Sequence, residues 1–490
     1  MRGLLCLLFC LCFSLILNAA ELRAGELWLE IGLNNAPALD LSLPGTATFT
    51  DAGGLYSKSL SGRIQLSLAD QEHSVSYRFF DRSLPWTAGS DSAEIREKAI
   101  WQDGRLSFQK ESLLFYPQLF SSREAALDYG KSTGLSASRI QAQAFSGEVL
   151  KLSTAQGELI FLELPVRIQS SGYLSPDQGK LNYKGEFVIK TLGNRLQLNQ
   201  IIRLESYLGG VVQHEIGNNA PPEALKAQTI AARTHAVRLL LYDRHSADGF
   251  DLCNSTHCQV YKGDYLQTPA VRDAIDETTG EIMVYLGKVI DATYHSSCGG
   301  KTDSSSQIWG SGYTPYLSGV TCDPAADSLN LSTEADAIRW IETKGETRGM
   351  SSWEKASQYW TKTVKKADLA KAVDLPKLRS VKILERGKSG RILKLEISSG
   401  DASLILDSEA KIRKAFGGLP SSFFYIVDSE AGKIQPGGDL VLHGKGSGHG
   451  VGMCQVGALR LAREGKPFDA ILGQYYPGTR ITIDWIAYEE

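Results

Sequence analysis

Residues 222–242 read PEALKAQTIAARTHAVRLLLY, and this segment predicts a long helix inside a folded core. Pro222 suits the first turn of a helix, where a missing backbone N–H costs little. Apolar residues face almost every direction around the axis, which is typical of a helix buried on all sides. Two polar stripes interrupt this surface, one formed by Lys226, Thr229 and Arg233 and the other by Gln228 and His235. Polar side chains on a buried helix must find partners or line a cleft.

The residues before this helix predict a hairpin and then one more strand. Residues 183–202 form the hairpin, which turns at 193–194, and a strand-like stretch follows and ends at Val212. Glu215 comes next, in a short polar loop between that strand and the helix. Partial desolvation there would raise the pKa of its carboxyl toward the range that suits acid catalysis.

The first third of the chain reads as a β-rich module over residues 26–169, with short alternating runs and one helix at 121–129. Turn residues at 103–104 and 156–157 predict hairpins. No catalytic constellation is visible in this module. A wall-binding or adaptor role and a purely structural role therefore both stay open. Residues 170–179, rich in Ser, Gly, Pro and Asp, predict a linker.

A mixed α/β catalytic domain is expected at 180–490, so the fold class is α+β. Its segment at 330–435 is less recognisable, with mixed helical and strand signals. Its end predicts a strand at 440–443, a glycine-rich loop at 444–452 and a helix at 453–464.

Residues 1–20 have the layout of a secretory signal peptide, with a positive residue, an apolar run and small residues at the end. An N-terminal anchor helix is the alternative, although the run is short for a membrane span. We therefore expect an exported protein of the periplasm or cell envelope. The formal net charge of −3 provides no global basic field, so nucleic acid is not an expected partner.

Three familiar enzyme motifs are absent from the sequence. His214-Glu215 lacks the second histidine of a zinc protease, because Asn218 occupies that position. The loop 444–452 has neither the Walker spacing nor a true G-x-G-x-x-G, since His449 replaces the last glycine. No serine lies in a G-x-S-x-G elbow.

Five cysteines remain after residues 1–20, an odd number for an oxidising compartment. Cys253, His257 and Cys258 are close in sequence, and thiolate and imidazole ligands suit zinc. A disulfide from this pair of cysteines to Cys298 or Cys322 is the other interpretation.

Several motifs in the same order resemble the SpoIID/LytB family of stage II sporulation protein D homologues. The likeness covers about residues 180–325 and 435–485. The motifs are 205–215 (ESYLGGVVQHE), 222–235 (PEALKAQTIAARTH), 258–261 (CQVY), 295–300 (HSSCGG), 315–317 (PYL), 446–458 (GSGHGVGMCQVGA) and 475–479 (YYPGT).

The resemblance implies a lytic transglycosylase. Such enzymes cleave peptidoglycan between MurNAc and GlcNAc without water and leave a 1,6-anhydro end, preferably on glycan stripped of stem peptides. The glutamate that closes the family's V-V-x-x-E motif is catalytic, and Glu215 occupies that position. One carboxyl suffices when the substrate supplies its own nucleophile. Membership of the motifs predicts six substrate-binding residues: Gln228, Arg233, Gln259, His295, His449 and Gln455.

The chain departs from the family pattern around its glutamate and near its end. Gln213-His214 replaces Pro-Ser, and Ile216-Gly217 replaces Met-Pro. Cys454 and Val456 stand where relatives often have Ser and Trp, so an aromatic sugar platform is missing there. No cofactor is required by the family, although some relatives carry zinc near the segment 253–258.

Two other functions remain as hypotheses. The family includes proteins named as amidase enhancers, so the chain could bind glycan strands, or an N-acetylmuramoyl-L-alanine amidase that it stimulates, without cleaving anything. A zinc amidase built on the Cys/His residues is a weaker reading, because no metal-bound water with a partner base is visible.

Overall fold

The computed structural model describes most of the chain between residues 21 and 483. The described residues are 21–23, 26–52, 57–69, 76–81, 93–102, 105–120, 124–125, 128, 132, 140–145, 148–176, 181–263, 267–345, 348–400, 402–427 and 439–483. Contacts divide the chain into two compact units. The first comprises residues 1–211 and 239–267, and the second comprises 212–238 and 268–490. A β-rich N-terminal region precedes a mixed α/β region, which confirms the α+β fold class.

The first unit is dominated by strands. They are β1 (Glu21–Arg23), β2 (Glu26–Ala36), β3 (Ala38–Thr50), β4 (Ser57–Leu68), β5 (Ser76–Asp81), β6 (Ala93–Gln102), β7 (Arg105–Phe120), β8 (Ile140–Phe145), β9 (Val149–Thr154), β10 (Leu159–Glu163), β11 (Val166–Pro176), β12 (Tyr183–Leu192), β13 (Arg195–Arg203) and β14 (Leu252–Cys253). Ten of them form one sheet in the order β1-β2-β13-β12-β11-β3-β4-β9-β10, with β14 beside β2. A second sheet has the order β6-β7-β5-β8. The turn expected at 156–157 lies between β9 and β10, as predicted.

The large sheet contains strands from both sides of the expected linker. The hairpin predicted at 183–202 is present as β12 and β13, which pair with β11 and β2. The linker prediction is wrong for residues 170–176, which continue β11. The strand pairing is irregular just after Ser170, and polar side chains make hydrogen bonds there. The Ser171 hydroxyl donates to the Thr46 carbonyl at 2.8 Å.

Two consecutive helices flank Glu215 along the chain. Helix α1 (Leu204–Glu215) ends at this residue, and helix α2 (Pro222–Leu241) follows it. The helix predicted at 222–242 is therefore confirmed. The strand expected before Val212 is wrong, because the apolar residues recur at helical spacing and are buried: Leu204, Tyr207, Leu208, Val211 and Val212. Gly210 is needed inside α1, since a Cβ there would lie 2.4 Å from Tyr261 Cε2.

The second unit combines eight described helices that follow α2 with small sheets. The helices are α3 (Pro269–Glu277), α4 (Ser305–Trp309), α5 (Glu334–Glu342), α6 (Ser352–Gln358), α7 (Lys366–Ala372), α8 (Glu409–Ala415), α9 (Gln455–Arg463) and α10 (Phe468–Tyr475). The strands are β15 (Ile282–Tyr285), β16 (Lys288–Val289), β17 (Tyr294–His295), β18 (Tyr359–Val364), β19 (Ser380–Arg386), β20 (Ile392–Ser398), β21 (Ser403–Leu406), β22 (Phe424–Ile426), β23 (Leu440–Lys445), β24 (Met453–Cys454) and β25 (Arg480–Thr482).

The core of this unit that matters for the site lies under α2 and α9. It joins Ile230 of α2 with Met453 and Ala458, and it includes Cys298 and Tyr476. Parallel pairing of β17 with β24 places the 295–300 motif beside the start of α9. The predicted strand at 440–443 and helix at 453–464 are confirmed as β23 and α9.

Some sequence predictions fall outside the described residues. These are the signal peptide at 1–20, the turn at 103–104 and most of the helix at 121–129. Within the described ranges, none of the helices combines the length and apolar character that a membrane crossing requires.

Candidate functional site

Glu215 is the last residue of α1, where the chain leaves the helix. Gly217 follows with a φ of 92°, a left-handed conformation that commonly ends a helix and that glycine adopts without steric cost. Glu215 as a whole residue is half-buried. The sequence placed Glu215 in a loop after a strand; the structure corrects this to a helix end.

The amide of Gln455 contacts this carboxyl. The Gln455 Nε2 donates to Glu215 Oε2 at 3.4 Å and to Gln228 Oε1 at 3.1 Å. Gln228 and Gln455 are almost wholly buried, and Gln228 Nε2 has no hydrogen-bond partner among the described residues. We call Glu215, Gln228 and Gln455 the Glu215 cluster. Three residues of the predicted site are therefore brought into contact across 240 residues of chain.

The glycine-rich loop 444–452 positions Gln455 at the first turn of α9. The loop must pass close to other backbone and side chains, which excludes larger residues. A Cβ on Gly452 would lie 2.0 Å from the Thr293 carbonyl oxygen, and a Cβ on Gly450 would lie 2.3 Å from Arg391. Cys454 then caps α9 by accepting from the Gly457 N–H. The loop is thus a structural turn that delivers Gln455 to Glu215.

His295 and His449 form a second group in the same unit, with ring centroids 5.3 Å apart. Burial lowers the pKa of His449 well below its ordinary value. The neighbouring His295 lowers this pKa further, whereas the hydrogen bond to the Tyr294 carbonyl raises it. The Trp309 ring stacks against His449 at 5.2 Å and is 46% exposed. Trp309 was not among the residues predicted from the sequence. It provides an exposed aromatic ring in this unit, although position 456, where relatives often have Trp, is a valine.

Two other predicted binding residues have hydrogen bonds of their own. The Arg233 guanidinium donates to the Glu281 carbonyl at 3.1 Å, inside the second unit. Gln259 belongs to the first unit, where its amide lies 3.5 Å from the Tyr207 hydroxyl. Both side chains are at most 2% exposed. Direct contact with a glycan by either residue stays a prediction.

The polar stripes of α2 do find partners in the second unit. Lys226 forms ion pairs with Glu223 at 3.2 Å and with Glu277 at 2.7 Å. Thr229 donates its hydroxyl back to the Leu225 carbonyl. Gln228 of the second stripe belongs to the Glu215 cluster, whereas Lys226 and Thr229 have partners that stabilise the unit itself.

The residues predicted to bind metal cluster in the first unit. The ligand atoms of His245, Cys253, His257 and Cys258 all lie within 4.8 Å of one another. We call these four residues the Cys–His loop. His245 was missed by the sequence analysis because it lies eight positions before Cys253, beyond the end of α2.

This donor set fits zinc in number, type and support. Asp248 Oδ2 lies 2.7 Å from His245 Nδ1, which leaves His245 Nε2 directed at Cys258 Sγ at 3.2 Å. Carboxylate–histidine pairs of this kind orient zinc ligands in proteins. The contact with Cys258 lowers the pKa of the Cys253 thiol to about 3, although burial opposes the shift. Two thiolates and two imidazoles would hold the ion tetrahedrally and tie the loop together.

The five described cysteines are all free in this structure. Cys253 and Cys258 belong to the first unit, whereas Cys298, Cys322 and Cys454 belong to the second. The sequence left open zinc at Cys253 and Cys258 or a disulfide from this pair to Cys298 or Cys322, and both interpretations stay predictions.

The chain matches two protein-family models and several known proteins. The stage II sporulation protein family matches residues 193–285, and a domain of unknown function matches residues 303–452. An uncharacterised protein of Brachyspira hyodysenteriae is 32% identical over 301 residues, which cover 61% of this chain and 72% of that protein.

Two relatives from Bacillus subtilis have descriptive names. The amidase enhancer is 30% identical over 302 residues, covering 56% of this chain but only 40% of that protein. Stage II sporulation protein D is 29% identical over 300 residues, covering 57% of this chain and 75% of that protein. The family model covers α1 and α2 and with them Glu215 and Gln228. With this match and the Brachyspira relative, the chain belongs to the SpoIID family.

Proposed function

We propose that this protein is an exported lytic transglycosylase that cleaves peptidoglycan glycan strands with Glu215 as its acid/base. Relatives in the SpoIID family support a role at the cell wall. The single observation that carries the finer proposal is the Glu215 cluster: a half-buried glutamate at a helix end, whose carboxyl contacts the amide of Gln455.

In the proposed first step Glu215 acts as a neutral acid. The acid protonates the glycosidic oxygen, and the bond from the anomeric carbon to that oxygen breaks. The resulting carboxylate then takes the proton of the muramic 6-hydroxyl as its oxygen attacks the same carbon. This sequence forms the 1,6-anhydro ring and returns Glu215 to its acid form.

The other residues of the cluster orient rather than react. Gln455 uses both hydrogens of its amide, one for Glu215 and one for Gln228, so it links the carboxyl to a buried residue of α2. Trp309 offers an exposed aromatic face on which a sugar ring can pack. We propose that the glycan lies between this face and Glu215, preferably with its stem peptides removed.

Mass spectrometry of purified peptidoglycan tests the proposal. Intact and amidase-stripped glycan are incubated with the wild type, with Glu215→Gln and with a control, Glu205→Gln, at the other end of α1. Wild type and control should produce anhydro-muramyl ends, and Glu215→Gln should reduce their rate at least a hundredfold, the usual contribution of an acid/base. Equal melting temperatures would show that the loss is chemical. Anhydro ends formed at the wild-type rate by Glu215→Gln would refute the role of Glu215.

The relative named as an amidase enhancer favours a second, non-catalytic function. In that case the protein binds glycan or an N-acetylmuramoyl-L-alanine amidase and stimulates it. Stimulation of a purified amidase that survives Glu215→Gln, with no new glycan ends in the wild type, would support this function over the first.

We also propose that the Cys–His loop binds zinc as a structural ion. It is placed in the first unit, and none of its residues belongs to the Glu215 cluster. The zinc would stabilise the loop and would supply no chemistry to the cleavage.

A further inference from the structure

Three cysteines from distant parts of the chain meet in the core of the second unit. The ligand atoms of His295, Cys298 and Cys454 all lie within 4.8 Å of one another. Cys322 packs against the same place: a Cβ on Gly457 would lie 2.3 Å from Cys322 Sγ, and the Gly457 nitrogen lies 3.4 Å from Cys454 Sγ. We call His295, Cys298, Cys322 and Cys454 the buried thiol cluster. Each of the four side chains is at most 5% exposed.

Backbone N–H groups point at two of these sulfurs. Cys454 Sγ accepts from the Cys298 nitrogen at 3.2 Å and from the Gly457 nitrogen at 3.4 Å, at the positive end of α9. Cys298 Sγ accepts from the Gly300 nitrogen at 3.4 Å. These hydrogen bonds fix the positions of both sulfurs in the core.

His295 directs one ring nitrogen into the cluster. Its Nδ1 lies 3.0 Å from the Val451 carbonyl oxygen, which can only accept, so Nδ1 carries a ring hydrogen. Its Nε2 is buried and has no hydrogen-bond partner among the described residues, so this atom is the one that could bind a metal. A histidine whose other nitrogen is fixed by a carbonyl is the usual form of a metal ligand.

We propose that the buried thiol cluster binds a zinc ion, with His295, Cys298 and Cys454 as three ligands and Cys322, which packs beside them, as the fourth. Zinc prefers thiolate and imidazole, and ligands about 2.0–2.3 Å from a tetrahedral centre lie within about 4 Å of one another. The ligand atoms of His295, Cys298 and Cys454 all lie within 4.8 Å of one another. Cys322 Sγ, now 3.0 Å from the Tyr475 hydroxyl, would turn toward them. Binding displaces the thiol protons to solvent and needs no oxidant. A disulfide between two of the cysteines would leave His295 Nε2 without a partner among the described residues.

The proposed ion would act as a positioning element for the Glu215 cluster. Cys454 directly precedes Gln455, whose amide contacts Glu215. The ligands come from the 295–300 motif, from the segment at Cys322 and from the start of α9, so the ion would join three segments that the sequence separates widely. It lies too deep for a substrate to reach, so its role is to hold α9.

Metal counting in a protein that lacks the Cys–His loop tests this proposal independently. In full-length Cys253→Ser/Cys258→Ser, we expect one equivalent of zinc by elemental mass spectrometry. Adding Cys454→Ser should remove it. Serine can still accept from the Gly457 N–H, so α9 keeps its cap in that variant. Zinc content unchanged by Cys454→Ser, or no zinc in the parent, would overturn the proposal.

Two further measurements need no substitution in the core. Cobalt(II) replacing zinc in Cys253→Ser/Cys258→Ser should give the strong near-ultraviolet absorption of thiolate-to-cobalt charge transfer. Alkylation of the denatured, unreduced protein, followed by peptide mapping, should label Cys298, Cys322 and Cys454 alike. Label on only one of these three would reveal a disulfide and overturn the zinc site. Both outcomes are separable from the cleavage assay, which depends on Glu215.

Discussion

The Glu215 cluster and the Cys–His loop differ in how far apart their members lie along the chain. Glu215 and Gln455 are 240 residues apart, and only the folding of the second unit brings them into contact. The Cys–His loop takes all its residues from one stretch, from His245 to Cys258. The geometry of a site assembled from distant segments depends on the global stability of its unit. The geometry of a site within one short segment depends instead on the ligand that holds the segment together. Loss of the two sites should therefore have different signatures.

The largest effect is expected from breaking the Cys–His loop. Cys258→Ser removes a buried ligand, and a structural zinc in small domains is worth about 10–16 kcal/mol of apparent binding free energy. We expect loss of one zinc and new proteolytic cleavage between residues 245 and 263. Limited proteolysis with zinc analysis measures both, and Thr256→Ala, an exposed neighbour, is the matched control. If Cys258→Ser kept its full zinc content and its resistance to cleavage, the Cys–His loop would not depend on a bound ion, and the proposed difference between the two sites would be wrong.

A smaller effect, confined to catalysis, is expected at Gln455. A hydrogen bond to a charged group contributes about 1.5–3 kcal/mol, so Gln455→Ala should lower kcat about tenfold to a hundredfold. KM and zinc content should stay near wild type, because Gln455 orients Glu215 and binds no metal. Gln474→Ala, which removes another amide of the same unit, serves as control. A change in KM alone would mean that Gln455 binds glycan rather than positioning the acid.

The smallest effect is expected at Trp309. Aromatic contacts contribute about 0.5–1.5 kcal/mol beyond their buried area, so Trp309→Ala should raise KM about threefold to tenfold with kcat nearly unchanged. The measurement is the cleavage rate against glycan concentration. Trp353→Ala, at a tryptophan that is 37% exposed, is the comparison. Equal KM values in the two variants would exclude Trp309 as a sugar-binding face.

Much of the fold around the site was predictable because its signals are local. Helix α2 and the hairpin of β12 and β13 were predicted with nearly the observed bounds, since apolar periodicity and turn residues act within a few positions. Helix α1 was read as a strand because Gly209-Gly210 and two valines oppose helix formation. Packing of Tyr261 against Gly210 overrides that local preference.

The sequence by itself determined which residue types the site would use: the Glu215 carboxyl, the Gln228 and Gln455 amides, and the cysteines and histidines that suit zinc. Only the tertiary structure decided which of them touch. It placed Gln455 on Glu215, added His245 to the Cys–His loop, and gathered Cys298, Cys322 and Cys454 in one core. The physical reason is that side-chain chemistry belongs to each residue alone. Contacts between residues hundreds of positions apart depend instead on how sheets, helices and glycine turns pack, which no local pattern records.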